Sequence, residues 1–287
     1  MLRFISPLRY PGGKAKLAGF IKLILAQNRL LDAHYVEPYA GGASVALSLL
    51  LGEHVEHVHI NDIDPGIFAF WHSVLYNTDV LCERIRKTPV TIAEWRRQRA
   101  LHAKGRLAKR VDLGFSTLFL NRTNRSGIIA SGGPIGGIKQ NGEWKLDARF
   151  GREGLVERIE AVAAYRDRIT LHNRDAAKLL VELQPKLPRR HFFYLDPPYY
   201  VKGQRRLYLN GYEHEDHVHV AKLVRRRSKW MVSYDDVPAI RAIYQPLKPI
   251  RYRLSYTAAE RSAGAEVAFL SPELTVPAVR NPAYISN

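Results

Sequence analysis

The chain has 287 residues, enough for one large domain or for a core domain with a smaller insertion. Hydrophobic residues make up 46% of the sequence, a globular composition that excludes disorder along the whole chain. Lys and Arg number 44 against 27 Asp and Glu. The net charge of +17 favours a polyanionic partner, with a basic but unspecialised surface as the alternative.

The cysteine content and the apolar runs narrow the class of protein further. The single cysteine, Cys82, excludes an intrachain disulfide framework and argues against a cysteine-based zinc site. The first residues do not have the pattern of a signal peptide, and no apolar run is long enough to span a bilayer. We therefore expect a cytoplasmic protein without a membrane partner.

Strand and helix patterns alternate in the two outer parts of the chain. Near the start, a strand at 35–39 leads through a glycine-rich turn into a helix, and a second strand follows at 57–62. Later, the pattern predicts strands at 168–172, 191–195, 230–234, 251–256 and 266–270, and helices at 176–183 and 218–226. The last two strands are predicted to form a hairpin with a loop at 260–264. This order indicates an α/β domain that opens with parallel strands.

The middle of the chain has a different character. Arginine-rich helical sequence at 94–99 precedes a segment punctuated by glycine from 126 to 137. We interpret this part as an insertion between two halves of one domain. The predicted organisation is a first part of the α/β domain at 1–80, the insertion at 81–150 and a second part at 151–287.

The tetrapeptide Asp196-Pro197-Pro198-Tyr199 directly follows the apolar strand at 191–195. Open α/β sheets bind ligands at the carboxyl ends of their strands, and the two prolines stiffen the turn there. A carboxylate and an adjacent carbonyl that accept both N–H bonds of an exocyclic amine would direct its lone pair towards an incoming methyl group. The tyrosine ring would hold the base by stacking. The alternative is a solvated turn at the end of a strand.

Two glycine-rich segments are candidates for binding a small ligand. The sequence EPYAGGAS at 37–44 lets a ligand approach the backbone and then offers the start of a helix, although it is not the GxGxxG pattern. Asp62 and Asp64 follow the second strand, where a carboxylate accepts hydrogen bonds from ribose hydroxyls; capping of a helix is the alternative for Asp64. In the loop LRYPGGK at 8–14, Lys14 is placed to meet a ligand carboxylate, with a basic turn as the alternative.

Together, these motifs resemble those of the Dam-type, class alpha DNA adenine-N6 methyltransferases. The resemblance rests on YPGGK at 10–14, EPYAGG at 37–42, NDID at 61–64, FLNR and SGI within 119–128, and DPPY at 196–199. It spans nearly the whole chain. It implies an α/β, Rossmann-like methyltransferase fold with a mixed seven-stranded sheet, helices on both faces and a small, mainly helical target-recognition insertion.

The resemblance also implies a reaction and a set of residues. The expected reaction is site-specific transfer of a methyl group from S-adenosylmethionine to N6 of an adenine flipped out of double-stranded DNA. The implied catalytic residues are Asp196, Pro197, Pro198 and Tyr199. The implied donor-binding residues are Tyr10, Lys14, Glu37, Pro38, Gly41, Asp62, Asp175 and Asp196. Among these, Asp62 would hold the ribose of the donor and Asp175 its adenine.

The insertion contains side chains of the types that read base edges or hold phosphates. They are Arg122, Asn124, Arg125, Lys139, Gln140 and Asn141. For each of them, a polar surface hairpin is the alternative interpretation. The GATC-specific members of the family continue here with aromatic residues and asparagine, whereas this chain reads RSGIIASGGP from 125 to 134. The GATC specificity is therefore not carried over.

No metal is expected, because direct methyl transfer needs none. His214, His217 and His219 lie at a predicted boundary between loop and helix, where we prefer a capping role to a metal site. We also expect a protein of bacterial or phage origin that is a monomer or weak dimer. Whether it has a partner nuclease is left open.

Three other functions stay open. The first is methylation of RNA adenine or protein glutamine by the same fold, and the second is a DNA-binding module without catalysis. The third is a nucleotide-binding enzyme of the Rossmann type. Asp196 favours adenine, since the related enzymes that act on RNA or glutamine usually have Asn there and cytosine-N4 enzymes usually have Ser.

Overall fold

The computed structural model describes residues 5–9, 14–200, 211–226, 229–255 and 263–285. Its strands are β1 His34–Glu37, β2 His57–Asn61, β3 Ile169–His172, β4 His191–Leu195, β5 Trp230–Asp235, β6 Ile250–Ser255 and β7 Ala263–Leu270. Its helices are α1 Ala18–Gln27, α2 Ser44–Leu51, α3 Pro65–Tyr76, α4 Thr78–Lys87, α5 Ile92–Ala103, α6 Arg110–Thr123, α7 Arg152–Ala163, α8 Ala176–Leu183, α9 His214–Val224 and α10 Pro238–Tyr244.

The strands form a mixed seven-stranded sheet in the order β3-β2-β1-β4-β5-β7-β6. Strand β1 pairs in parallel with β2 and β4, and β4 pairs in parallel with β5. Strand β7 runs antiparallel to both β5 and β6, so the predicted hairpin of the last two strands is confirmed. The predicted loop of that hairpin at 260–264 lies outside the described residues except for the last two, which belong to β7.

The chain packs as two compact units. The first unit comprises Met1–Gly13 and Ile63–Asn173, and the second comprises Lys14–Asp62 and Arg174–Asn287. The predicted insertion at 81–150 lies inside the first unit, where α4, α5 and α6 supply most of its ordered structure. The predicted domain boundaries at 80 and 150 stay a prediction.

In the second unit, alternate residues of the strands build a core on one face of the sheet. Phe193 and Leu195 of β4 pack there with Trp230, Val232 and Tyr234 of β5 and with side chains of α8, α9 and α10. Successive side chains of a strand point to opposite faces. Because β4 is buried along its whole length, it is the central strand that its apolar sequence predicts.

The same alternation determines what faces the other side of the sheet. Tyr194 of β4 and Ser233 of β5 are buried there, one residue away from the core positions. Glu266 of β7 shares this face, because its neighbour Val267 belongs to the opposite core. Polar side chains therefore gather on one face near the carboxyl ends of β4 and β5.

In the first unit, α3 packs against α6 at very close range. A Cβ atom on Gly114 would lie 2.5 Å from the carbonyl oxygen of Ala69 and 2.5 Å from Oγ of Ser73, so only glycine permits this approach. Helix α3 begins after Asp64, whose Oδ1 accepts hydrogen bonds from the backbone N–H groups of Gly66 (2.6 Å) and Ile67 (3.1 Å). The capping role considered for Asp64 is confirmed.

Helix α9 shows where the sequence pattern was misleading. It begins at His214, whereas the apolar pattern predicted a start at 218. Glu213 and Asp216 form a capping box that adds a polar first turn, which the apolar pattern does not reveal. Within the described residues, no helix has the length and apolar character needed to cross a membrane.

Candidate active site

The candidate site is organised around Asp196, at the carboxyl end of β4. Its side chain is 24% exposed, and its Oδ1 lies 3.1 Å from Nζ of Lys14. Ser233 Oγ donates to the same Oδ1 at 2.9 Å, and the Tyr194 hydroxyl lies 2.9 Å from Ser233 Oγ. Among the described residues, no hydrogen-bond donor reaches Oδ2. One carboxylate oxygen is thus held in place, and the other is available to a ligand.

Lys14 joins Asp196 to a second carboxylate that the sequence analysis did not identify. Its Nζ forms an ion pair with Glu266, and both side chains are almost completely buried. The Tyr252 hydroxyl donates to Oε2 of Glu266 at 3.0 Å, and the Tyr199 hydroxyl donates to Oε1. The signal that could have found Glu266 is a carboxylate in the otherwise apolar strand AGAEVAFL, because such a group is rarely buried without a partner.

The charges in this cluster influence each other. Burial raises the pKa of the Asp196 carboxyl, while the nearby Lys14 ammonium opposes the shift and Glu266 adds to it. Burial alone would lower the pKa of Lys14, but its electrostatic interactions with Asp196, Tyr252 and Glu266 raise the pKa well above its ordinary value. Lys14 is therefore protonated at neutral pH and favours the anionic form of Asp196.

The turn after Asp196 fixes the position of Tyr199. The Tyr199 ring is 7% exposed, and Nζ of Lys14 lies 5.1 Å from its centroid. Pro197 is buried and Pro198 partly buried, and the backbone N–H of Tyr200 donates to Oδ1 of Asp235 at 2.9 Å. The tetrapeptide is consequently anchored at both ends, with Lys14 beside its carboxylate and its tyrosine.

The turns after β1 and β2 bring together several of the predicted donor-binding residues. The backbone N–H of Gly41 donates to Oδ2 of Asp62 at 3.0 Å. Asn61, which is 1% exposed, donates to the carbonyl oxygens of Pro38 (2.8 Å) and Arg174 (3.0 Å) and accepts from the Arg174 N–H (2.9 Å). Asn61 therefore holds the turn after β1 to the segment that precedes α8, a role that the sequence motif did not reveal.

Glu37 ends β1 in an unusual environment. Its carboxylate is 4% exposed and accepts a hydrogen bond from the backbone N–H of Ala46, in the first turn of α2, at 3.0 Å. Burial raises the pKa of Glu37 to about 8, against the effect of this hydrogen bond, and the charge of Asp196 adds to the increase. This raised pKa leaves the donor-free Glu37 largely protonated near neutral pH, and a cationic group of a ligand beside it would favour its ionised form.

Asp175 lies at the entrance to α8. Its Oδ1 accepts from the backbone N–H of Lys178 at 3.0 Å, so it caps the helix. It also lines an open cavity of about 480 Å³ between α8 and α9, together with Tyr212 and Val220. The volume of this cavity is typical of sites that bind small molecules.

These residues suit the methyl donor that the sequence predicts. Carboxylates lie at or just beyond the ends of three parallel strands and before α8, namely Glu37, Asp62, Asp196 and Asp175. S-adenosylmethionine carries a sulfonium and an ammonium group together with ribose hydroxyls, and carboxylates are the complementary side chains for all of them. Tyr10, also predicted to bind the donor, lies outside the described residues.

The predicted DNA-binding residues fall into two groups. Arg122, Asn124 and Gln140 have their polar groups engaged within the first unit. Arg122 donates to the carbonyl oxygen of Pro7 through Nε at 2.7 Å, and burial lowers its pKa to about 9. The Asn124 Oδ1 accepts from Nε1 of Trp95 at 2.7 Å.

Gln140, the third residue of the engaged group, donates to the carbonyl oxygens of Ile135 (2.7 Å) and Gly137 (2.6 Å) and so shapes the loop around it. The other three predicted residues are on the surface. Arg125, Lys139 and Asn141 are exposed. Trp144, which the sequence analysis did not identify, is 62% exposed in the same segment. Its signal was a large aromatic residue in the polar sequence NGEWK.

The histidines of α9 do not gather around a metal position. His217 is buried against the rings of Tyr200, Tyr212 and Tyr234, and burial lowers its pKa to about 4. His214 faces the hydroxyl of Tyr200 with its Nδ1. Across the described ranges, no group of three or more His, Cys, Asp or Glu side chains is arranged to hold a metal ion.

Comparison with known protein families finds a match. A family model described as D12 class N6 adenine-specific DNA methyltransferase matches residues 10–257. A search of curated proteins finds no match. The matched region contains every motif on which the resemblance rests, so the predicted family and the predicted α/β methyltransferase fold are confirmed. The family implies S-adenosylmethionine as the methyl donor and DNA as the substrate. The chain belongs to the D12 class of N6 adenine-specific DNA methyltransferases and is therefore an enzyme that methylates adenine in DNA.

Proposed function

We propose that the enzyme methylates N6 of an adenine flipped out of double-stranded DNA, and that Asp196, Pro197, Pro198 and Tyr199 bind the flipped base. The observation that carries this proposal is the arrangement of Asp196. Its Oδ1 is held by Lys14 and Ser233, while its Oδ2 has no donor among the described residues. The free oxygen is positioned to accept a hydrogen bond from the adenine amine.

The chemistry follows from this arrangement. The amine donates one N–H to Asp196 and the other to the carbonyl of Pro197, and these acceptors stabilise the positive charge that develops on N6. The ring of Tyr199 holds the base in the orientation for in-line attack. When bound, S-adenosylmethionine would supply the methyl group and leave as the neutral thioether, and the methylated N6 would release one proton by way of its acceptor Asp196. The protonated state of Lys14 favours an ionised Asp196 in this role.

We assign the donor to the turns that follow β1 and β2 and to the start of α8. Glu37 and Pro38 line its methionine part, Gly41 gives it room, Asp62 binds its ribose and Asp175 its adenine. The hydrogen bonds of Gly41 to Asp62 and of Asn61 to Pro38 support this assignment, because they fix these turns before the donor arrives. Lys14 acts between the donor and acceptor sites, and Tyr10 stays a prediction for the donor site.

For DNA, we propose that the exposed residues of the insertion make the contacts. Arg125, Lys139 and Asn141 have free surface for phosphate or base edges, and Trp144 offers an aromatic face beside them. Arg122, Asn124 and Gln140, also predicted to bind DNA, instead fix the shape of the segment that presents these residues. A monomer or weak dimer, a partner nuclease and a cytoplasmic location stay predictions.

A methylation assay with labelled S-adenosylmethionine tests this proposal. We expect label in duplex DNA, and not in RNA or in a glutamine-containing peptide. Asp196→Ala is expected to abolish the transfer while DNA binding stays measurable. Unchanged activity of this variant would refute the mechanism, and label in RNA or peptide would favour the alternative substrates.

A further inference from the structure

Glu266 lies on β7, 1% exposed, in a strand that is otherwise apolar. Burial of an unpartnered carboxylate is costly, and a hydrophobic residue of similar size is often the more stable choice at such a position. Glu266 is compensated by hydrogen-bond donors on both of its oxygens. A buried carboxylate at this position is therefore a candidate for a functional role.

The two carboxylate oxygens of Glu266 have different partners. Oε1 accepts from the hydroxyl of Tyr199, while Oε2 receives the ammonium of Lys14 and the hydroxyl of Tyr252 at 3.0 Å. Tyr252 lies directly opposite Glu266 in the pairing of β6 with β7. The sheet itself thus sets the position of the carboxylate, and Glu266 transmits that position to Tyr199 and Lys14.

Each of these two side chains affects a different part of the proposed acceptor site. A tyrosine whose hydroxyl is fixed at one end can no longer swing its ring away from a stacked base. Lys14 lies 3.1 Å from Oδ1 of Asp196, so an anion on its other side sets where the ammonium stands and how strongly it acts on Asp196.

We propose that Glu266 is a positioning residue for methyl transfer: it fixes the ring of Tyr199 for the target base and shares the Lys14 ammonium with Asp196. The inference rests on the proposed roles of Asp196 and Tyr199. Glu266 does not contact the reacting atoms, so its effect is exerted through its two partners.

The test is the variant Glu266→Gln, which keeps the shape and loses the charge. The rate of methyl transfer, kcat, is expected to fall about tenfold or more, since Tyr199 and Lys14 lose the charged partner that holds them. The acid limb of the kcat–pH profile should move to lower pH, because Glu266 contributes to the raised pKa of Asp196. Glu273→Gln, the same change at an exposed position of the same unit, serves as the control.

A folded Glu266→Gln enzyme with the kcat and the acid limb of the wild type would overturn the proposal. A loss of kcat without any movement of the acid limb would overturn the part of the proposal in which Glu266 and Asp196 share the Lys14 ammonium. In both cases the proposed function itself would stand, provided that Asp196→Ala remains inactive. An inactive wild type, or an active Asp196→Ala variant, would instead contradict the proposed function.

The variant Tyr199→Phe keeps the proposal testable even if Glu266→Gln is poorly folded. It removes the hydroxyl that Glu266 holds but retains the aromatic ring. Tyr199→Phe alone is expected to reduce kcat. Glu266→Gln should then lower kcat by a smaller factor in the Tyr199→Phe enzyme than in the wild type. Tyr199→Phe with wild-type kcat, or losses that multiply fully in the double variant, would contradict the coupling of these residues.

Discussion

Nζ of Lys14 lies 3.1 Å from Oδ1 of Asp196 and also forms an ion pair with Glu266, so a buried ammonium stands between two carboxylates. Burial raises the pKa of the Asp196 carboxyl, and the Lys14 ammonium opposes that shift and so favours its ionised form. The acceptor site therefore depends on a residue that enters from the turn before α1, far away in sequence from the tetrapeptide that it serves.

Lys14→Met is expected to damage both activity and stability. It leaves two buried carboxylates without their cation, which typically costs about 3 to 5 kcal/mol. The pKa of Asp196 should rise further, so the acid limb of the kcat–pH profile is expected to move to higher pH, opposite to the effect of Glu266→Gln. Lys14→Arg keeps the charge and serves as the control. A folded Lys14→Met enzyme with an unmoved acid limb would contradict the role given to this ammonium.

Glu37 predicts a pH dependence of folding stability for the donor-free enzyme. The pKa of its carboxyl is about 4.5 in the unfolded chain, and burial raises this pKa to about 8 in the folded state. Between these values the folded state holds a proton that the unfolded state has lost, so stability falls as the pH rises. At about 1.4 kcal/mol per pH unit, the full interval corresponds to roughly 5 kcal/mol.

The variant Glu37→Gln removes this titration and should be more stable than the wild type at pH 8.5. The difference between the two proteins should shrink towards pH 5, where the folded and unfolded wild-type chains bind more similar numbers of protons. Thermal denaturation at both pH values measures the effect. Parallel Tm–pH curves for the two proteins would rule out the raised pKa of Glu37.

Asn61→Ala is expected to weaken donor binding. The side chain joins Pro38 to the backbone of Arg174, and its loss frees the turn after β1 from the segment before α8. We expect the KM for S-adenosylmethionine to rise about tenfold, while kcat at saturating donor changes much less. Stability should fall by roughly 2 to 4 kcal/mol, because buried backbone groups lose their partners.

Asn28 offers a matched control for this experiment. It makes the same kind of bridge, donating to the carbonyl oxygens of Ile24 (2.8 Å) and Thr275 (2.8 Å) and accepting from the Thr275 N–H (2.8 Å), but it does so away from the donor turns. Asn28→Ala should lower stability without affecting the KM for the donor. An equal increase of KM in both variants would show that general loosening of the unit is responsible.

Substitutions at two residues of the insertion are expected to separate DNA binding from stability. Arg125→Ala should leave stability unchanged, weaken DNA binding and reduce the slope of log K against log salt by about one, as expected for a lost phosphate contact. Asn124→Ala should instead lower the melting temperature, because Nε1 of Trp95 and the carbonyl oxygens of Ile128 and Ile129 lose their partner. If Arg125→Ala binds DNA with wild-type affinity and salt dependence, this residue does not contact phosphate.

The local parts of the structure could be predicted well from the sequence. The apolar run of β4 and the helix α8 were predicted with their observed bounds, because burial on both faces and amphipathic spacing leave clear patterns. The tetrapeptide at the end of β4 could be found for the same reason, since a buried strand ends in polar residues at the ligand-binding edge of a sheet.

The connections between distant residues could not be predicted in this way. Lys14 and Glu266 are 252 residues apart in sequence, and only the pairing of β7 with β5 brings the carboxylate to the site. The engagement of Arg122 and Asn124 was equally hidden, because residue type does not tell whether a polar group faces DNA or a neighbouring carbonyl. The roles of these residues could be assigned only from the three-dimensional structure.

The most direct test of the account is to express the enzyme in a host that lacks adenine methylation and to map modified bases in the host DNA. We expect N6-methyladenine at a defined sequence with the wild type, and none with Asp196→Ala expressed at the same level. Methylcytosine in place of N6-methyladenine, or N6-methyladenine in cells that produce Asp196→Ala, would contradict it.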